Sequence, residues 1–200
     1  MTALRETDSL RAMRPCKLLA LLIIATLFFG SFASFASYAH AQPQSNLAVT
    51  LGAALTQNPS ATRFHTALHG DILFGRTSPW DFGIGPYADL ATAWNDFSVG
   101  TGASLLLPIH DALPIVLSAG PFVRAFDSRE SIGLSTDLFW GSRSFNYHGS
   151  YAMAFGLILQ GRTAFGAEPD RALILGFRID GQAFALPLLL AYGAITGGEP

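Results

Sequence analysis

From Asn46 to about Asp180, large apolar residues alternate along the chain with Gly, Ala, Ser and an occasional charged residue. The clearest run alternates the apolar residues Tyr147, Tyr151, Met153, Phe155, Leu157 and Leu159 with His148, Ser150, Ala152, Ala154, Gly156 and Gln160. Because successive side chains of a strand point to opposite faces, this period of two predicts strands with one apolar face and one face of small or polar groups. The second face carries very little charge for a surface in contact with water. The pattern therefore favours a narrow barrel with lipid outside.

Turn residues separate these alternating segments at fairly even intervals, and they divide the chain into eight predicted strands. The strands are Asn46–Leu55, Arg63–Gly75, Trp80–Ala93, Phe97–Leu107, Ile115–Phe126, Ser131–Gly141, Phe145–Gly161 and Arg171–Asp180. Short connections imply antiparallel pairing between neighbours, and closing the sheet removes its two exposed edges. The predicted fold class is all-β: a single closed antiparallel up-and-down β-barrel of about eight strands.

Residues 1–41 have the layout of a cleaved secretory signal peptide. Arg5, Arg11, Arg14 and Lys17 precede an apolar run, Leu18–Phe29, and small residues then lead to Ala39-His40-Ala41, an A-x-A cleavage site. We expect cleavage after Ala41, which leaves residues 42–200 as one barrel domain. An uncleaved membrane anchor is the alternative.

The composition of the predicted mature domain excludes several classes of protein. Cys16 lies before the apolar run, so the domain has no cysteine and no disulfide framework. It has no lysine either, and its eight Arg face twelve Asp and Glu. This acidic balance offers no basic patch for nucleic acid, and we expect no nucleic-acid partner.

Any chemistry has to lie on the small, polar face, which points into the barrel. The candidate site is a polar network in the lumen, formed by Asp71, Asp89, Arg124, Asp137, Arg178 and Asp180. A buried charge needs a partner, so Arg124 and Arg178 are expected to pair with carboxylates of this set. Eight strands enclose just enough room for side chains to fill, which favours a structural plug over a narrow ion path. The sequence leaves open whether the lumen conducts.

The sequence predicts neither catalysis nor a metal site nor a cofactor. His65 and His69 lie four residues apart on one strand face, a separation of about 13 Å that is too long for one shared ion. Gly83-Ile84-Gly85-Pro86 is followed by no helix and no lysine, so it does not predict a phosphate loop. No Ser, His and acid grouping has the context of a catalytic nucleophile, and we expect a protein that is not an enzyme.

A signal peptide, a lysine-free mature chain and eight alternating segments together resemble the small outer-membrane β-barrels of Gram-negative bacteria. The resemblance is architectural and covers nearly all of the mature chain. It implies a monomer in the cell outer membrane, with membrane lipid and the outer-membrane assembly machinery as partners, and a structural or minor pore role. Two features depart from the class: the predicted outer loops are short, and the chain ends Ile195-Thr196-Gly197-Gly198-Glu199-Pro200 rather than in Phe or Trp.

Two alternatives remain open at this stage. One is a soluble periplasmic or secreted β-barrel that binds a small apolar ligand with its apolar face turned inward. The other is a lipid-modifying barrel enzyme, which would need a Ser or His near the outer rim beside an acid. Residues 183–195 form either a ninth strand or a segment docked at the barrel rim, and the second arrangement is favoured because nine strands are unusual in a bacterial barrel.

Overall fold

The computed structural model describes residues 43–57, 60–93, 97–125, 131–143, 153–165 and 169–181, together with Ala183. These residues form a closed eight-stranded antiparallel up-and-down β-barrel, which confirms the predicted fold class. The strands are β1 (Gln44–Gln57), β2 (Ser60–Leu73), β3 (Gly83–Thr92), β4 (Phe97–Leu107), β5 (Ile115–Ala125), β6 (Ser131–Arg143), β7 (Ala154–Phe165) and β8 (Asp170–Asp180). Each strand pairs with the next in sequence, and β1 pairs with β8 to close the sheet. In the part of the chain described here, no helix is long and apolar enough to cross a membrane.

The barrel has two rims with connections of different length. The proximal rim, where β1 begins and β8 ends, carries the longer connections 74–82, 108–114 and 144–153. The distal rim carries the shorter connections 58–59, 93–96, 126–130 and 166–169.

Several predicted strand ends are wrong. β3 begins at Gly83 rather than Trp80, because residues 75–82 form a connection that starts with Gly75 at a φ of 82°. β6 continues to Arg143 and β7 to Phe165, each beyond the predicted end. The signal peptide, residues 145–152 of the predicted seventh strand, and residues 184–195 of the C-terminal segment lie outside the described residues.

Side chains alternate between a solvent-shielded inner face and an exposed outer face, as the period of two predicts. On β6, Leu134 is 54% exposed, whereas Asp137 is 6% exposed. The inner face is not only small and polar, because it also holds a cluster of apolar side chains. This cluster comprises Ala54, Leu73, Leu106, Val116, Phe139, Ala154, Ile158 and Ile174. Leu106 and Val116 lie within unbroken apolar runs, where alternation does not identify the inward residue.

Glycines on the inner face meet in cross-strand pairs, and Gly141 on β6 faces Gly156 on β7. A Cβ on Gly156 would lie 2.5 Å from the Cα of Gly141 and from the carbonyl oxygen of Trp140. Gly52 and Gly176 form a similar pair between β1 and β8. The backbones of neighbouring strands therefore approach so closely on the inner face that only glycine fits there.

Gly156→Ala is expected to lower the free energy of unfolding by about 1–3 kcal/mol, because its new methyl group meets backbone that cannot rotate away. Urea unfolding of the purified barrel measures the change. Gly70→Ala is the matched control, since a Cβ there would meet only Leu47 Cδ1 at 3.6 Å and Asn46 O at 3.7 Å. Equal unfolding midpoints for the two variants would contradict this account of the glycine pairs.

Candidate functional site: charged pairs inside the barrel

The structure places the six predicted network residues on the inner face of the barrel. Asp71, Asp89, Asp137, Arg178 and Asp180 are buried, and Arg124 is half-buried near the distal rim. They lie on β2, β3, β5, β6 and β8 and therefore face the lumen from several directions. The network is distributed along the length of the barrel and does not converge on one point.

Arg178 and Asp137 form an ion pair. Among the ion pairs of the described residues, it is the one in which both partners belong to the predicted set. An Arg178 terminal nitrogen (Nη2) donates a hydrogen bond to Asp137 Oδ2, and Nε donates to Thr50 Oγ1 at 3.3 Å. The guanidinium also lies over the ring of Phe139, 5.7 Å from its centroid. Three strands, β1, β6 and β8, therefore meet at this arginine.

Arg124 pairs with a residue outside the predicted set. Its Nη2 donates to Asp170 Oδ2 at 3.4 Å, which joins β5 to the first residue of β8. Asp170 precedes the predicted eighth strand, Arg171–Asp180, and was therefore expected in a turn. The arginine side chain is more exposed than those of the central pairs, as expected for a bridge close to the rim.

Two further arginines lie inside the barrel, and the sequence analysis missed both. Arg143 Nη1 donates to Asp71 Oδ2 at 2.9 Å and Nη2 donates to Oδ1 at 2.5 Å, a bidentate pair between β6 and β2. Arg162 Nη2 donates to Asp89 Oδ2 at 2.6 Å, and Nη1 donates to Ser98 Oγ at 2.7 Å. Both pairs cross the lumen between strands that are not neighbours in the sheet.

The signal for these arginines was present in the alternation. Arg143 follows inward Gly141 by two residues, and Arg162 follows inward Gln160 by two residues. The predicted strands stopped too early, because Ser142-Arg143-Ser144 resembled a turn and the seventh strand was ended at Gly161, one residue before Arg162. Extending each strand by two residues would have placed both side chains in the lumen.

Two buried histidines line the same lumen. His69 stacks on Tyr87 with ring centroids 5.3 Å apart, and its Nε2 lies 3.6 Å from Asp71 Oδ2. His65 is also fully enclosed, and its Nε2 has no hydrogen-bond partner among the described residues. No group of three His, Cys, Asp or Glu side chains in the described segments could hold a metal ion.

The connection between β2 and β3 is held against the start of β1 by Arg76. Buried Arg76 donates from Nη1 to Gln44 Oε1 at 2.8 Å and from Nη2 to the Pro79 carbonyl oxygen at 3.3 Å. Its Nε donates to the carbonyl oxygen of Asp81 at 3.3 Å. One guanidinium thus fixes residues 76–81 against the start of β1.

Asp81 stabilises the same connection from outside the barrel. Its Oδ2 accepts hydrogen bonds from Thr77 Oγ1 at 2.7 Å and from the backbone nitrogens of Thr77 and Ser78 at 2.8 and 2.7 Å. These bonds lower the pKa of Asp81 from its ordinary 3.8 to about 2, and the bond from the Thr77 hydroxyl has the largest effect. They stabilise the charged carboxylate.

The stability that Asp81 contributes is expected to depend on pH. Because its folded pKa is depressed, the contribution is fully present above pH 3.8 and is lost as the pH falls through about 2. NMR titration of the Asp81 carboxyl carbon measures the midpoint. Thr77→Val should raise the pKa of Asp81 towards 3.8, and an unchanged midpoint in that variant would contradict the hydrogen-bond assignment.

The inner side chains fill the described lumen. The inner side chains that are almost completely shielded from solvent come from different strands and lie at different heights along the barrel. They include Phe122, Leu73, Leu106, Ile174, His65 and His69. Between them, the arginine–aspartate pairs connect β2 to β6, β3 to β7, β6 to β8 and β5 to β8. This arrangement can brace opposite walls of the barrel, because each pair satisfies two charges that would be costly to bury alone.

Comparisons with known proteins add no family. No family model matches the chain, no curated protein matches it, and no solved structure matches it.

Proposed function

We propose that this protein is a non-enzymatic outer-membrane β-barrel with a structural role, and that its lumen is a plug held by charged pairs. The observation that carries the proposal is the inverted distribution of polarity. Large apolar side chains such as Phe155, Leu157 and Leu175 are exposed on the outer face, whereas Arg143, Arg162 and Arg178 lie inside with their aspartates. A lipid environment makes this distribution favourable, because the apolar surface then remains out of water.

The positions of the exposed aromatic residues support the same proposal. Trp80, Phe82, Trp140 and Phe155 lie at or near the proximal rim, and Phe165 lies at the distal rim, all of them exposed. Leucines occupy much of the outer face between these levels. Aromatic rings concentrate at the two interfaces of a membrane barrel, where an amphipathic ring favours the headgroup region. The strands, of 10–14 residues, also meet the length that a tilted spanning strand needs.

The soluble alternative has less support. A soluble barrel that binds an apolar ligand needs an open apolar interior and a water-compatible exterior. Here the interior is occupied by side chains from all eight strands, and the exterior presents Ile84, Leu134 and Phe177 to the surroundings. Such an exterior would drive association in water.

The plug is favoured over the minor pore because the inner side chains leave little solvent access. Asp137 and Thr50 lie near the middle of β6 and β1, and both are buried together with Arg178. Ions would have to displace this hydrogen-bonded group to pass. We include in the proposal that the barrel is a monomer, that membrane lipid surrounds it, and that the outer-membrane assembly machinery inserts it.

Fractionation and gel mobility test the membrane location. The expressed protein should partition with the outer membrane and change its mobility after boiling, as a closed barrel does when it unfolds. Recovery in the soluble periplasmic fraction would overturn the proposal. Planar-bilayer recording then tests the plug: we expect conductance near zero for the purified wild-type protein, and a clear single-channel conductance would assign it to the pore class instead.

A further inference from the structure

The outer face of the described strands carries one charged side chain, Arg171, the second residue of β8. It is exposed at the distal rim. No hydrogen bond or ion pair joins it to the rest of the described chain. Every other outward position on these strands is apolar, small or uncharged. A lone cation on a lipid-facing surface is costly unless its charge reaches the interface or an anionic group.

Arg171 lies in a groove of about 540 Å³ on the outer surface. Gln57 and Thr163 line the same groove beside it, and Thr163 is the register partner of Arg171 across the β7–β8 ladder. The amide of Gln57 and the hydroxyl of Thr163 add uncharged hydrogen-bond donors to the arginine. This end of the groove is therefore suited to an anionic, oxygen-rich group.

The groove continues towards the middle of the barrel into a second one of about 580 Å³, and the two share Thr136, Gly161 and Leu173. Residues that are register partners on neighbouring strands form the floor of the second groove. Ala103 lies opposite Ala119, Ala119 opposite Thr136, and Thr136 opposite Gly161. These small side chains make a shallow channel across four strands.

A row of leucines forms one wall of this channel. Leu105 pairs with Leu117, Leu117 with Leu138, and Leu138 with Leu159 in the adjacent register positions. An extended hydrocarbon chain that lies on the small residues would contact these leucines along its side and gain dispersion energy from many atoms. The combined groove thus has an apolar length and a cationic end.

We propose that the combined groove binds one anionic phospholipid of the surrounding membrane, with an acyl chain along the leucine row and the phosphate at Arg171. A guanidinium matches phosphate geometry, and Arg171 has no carboxylate to pair with in the described chain. The site rests on the proposed membrane location. It deepens that proposal by naming the class of lipid that the barrel selects.

Native mass spectrometry of the detergent-purified protein, titrated with dioleoylphosphatidylglycerol or dioleoylphosphatidylcholine, tests the site. For the first lipid bound, the wild type should prefer anionic phosphatidylglycerol over zwitterionic phosphatidylcholine by about fivefold in affinity. This is the gain typical of a single arginine at a membrane surface. Arg171→Gln should abolish that preference. Arg63→Gln, which removes a charge near the same rim from the inner face, should preserve it.

A second pair of variants tests the acyl channel without changing charge. Ala119→Leu fills the floor and should weaken the binding of both lipids, whereas Ala88→Leu, on the outer face of β3 away from the groove, should leave both affinities unchanged. Equal lipid preference in the wild type and Arg171→Gln would overturn the headgroup site, and tight binding by Ala119→Leu would overturn the channel.

Insertion of each variant into phosphatidylcholine vesicles, scored by heat-dependent gel mobility, separates this proposal from the membrane proposal. Variants that insert normally but show no lipid preference would overturn the lipid site alone. Failure of the wild type to insert would overturn the membrane location on which the site depends.

Discussion

Arg178→Ala is expected to lower the free energy of unfolding by about 3–5 kcal/mol, the largest effect among the substitutions considered. The substitution leaves Asp137 buried without its cation, and Asp137 Oδ1 already has no hydrogen-bond partner in the described chain. Thr50 also loses the donor that Arg178 Nε supplies. Urea unfolding in detergent or lipid vesicles, followed by tryptophan fluorescence, measures the loss.

Two controls identify the cause of that loss. Arg124→Ala removes an arginine that is partly exposed near the distal rim, where solvent already screens its pair with Asp170, and the expected cost is smaller. The double substitution Arg178→Met with Asp137→Asn removes both charges and should recover most of the stability. If the double variant is as unstable as Arg178→Ala, the stranded carboxylate is not the source of the loss.

Leu159→Arg is expected to impair membrane insertion by about 2–4 kcal/mol, the cost of a cation near the midplane of a barrel's lipid-facing surface. Leu159 is exposed near the centre of β7, within the leucine row. Leu157 is the next outward-facing residue of β7 towards the proximal rim and its aromatic residues. Leu157→Arg should therefore impair insertion less than Leu159→Arg. Each variant is refolded into lipid vesicles at increasing urea concentrations. The yield of heat-modifiable barrel measures the insertion cost of both substitutions.

Thr92→Arg is the matched rim control, since Thr92 is exposed on the outer face at the distal end of β3. Its expected cost is about 0–1 kcal/mol, because an arginine there reaches the interface. The graded order Leu159, Leu157, Thr92 is a depth profile that an aqueous surface would not produce. Equal stability of all three variants, with soluble protein recovered in each case, would contradict the lipid-facing assignment.

The eight strands and their two faces follow from a local pattern, and this explains why the sequence predicted them well. A period of two needs no knowledge of distant residues, so Leu134 and Leu138 could be assigned to one face and Asp137 to the other from neighbours alone. Strand ends were less accurate because turn chemistry overlaps with inner-face chemistry. Arg143, flanked by two serines, resembles a turn residue until its partner on β2 is known.

The pairing of charges was not predictable from the sequence in the same way. Alternation places two arginines and four aspartates in the lumen, but either arginine could reach any of the aspartates until strand order, stagger and height are known. Arg124 selects Asp170 rather than a residue of the predicted set, because those two meet at the same height near the distal rim. The outer groove has the same origin, since Ala103 and Gly161 are separated by two intervening strands and become parts of one channel only through the register.

The sequence by itself therefore determined the strand composition, the apolar outer face and the burial of most of the network aspartates, because each depends on the period of one strand. The tertiary structure alone decided that Arg143 meets Asp71 and Arg162 meets Asp89, and that Arg171 lies at the end of an apolar groove. Closure of the barrel is the physical reason. It fixes the relative stagger of all eight strands at once, and only that stagger brings residues distant in sequence to the same height across the lumen or along the outer surface.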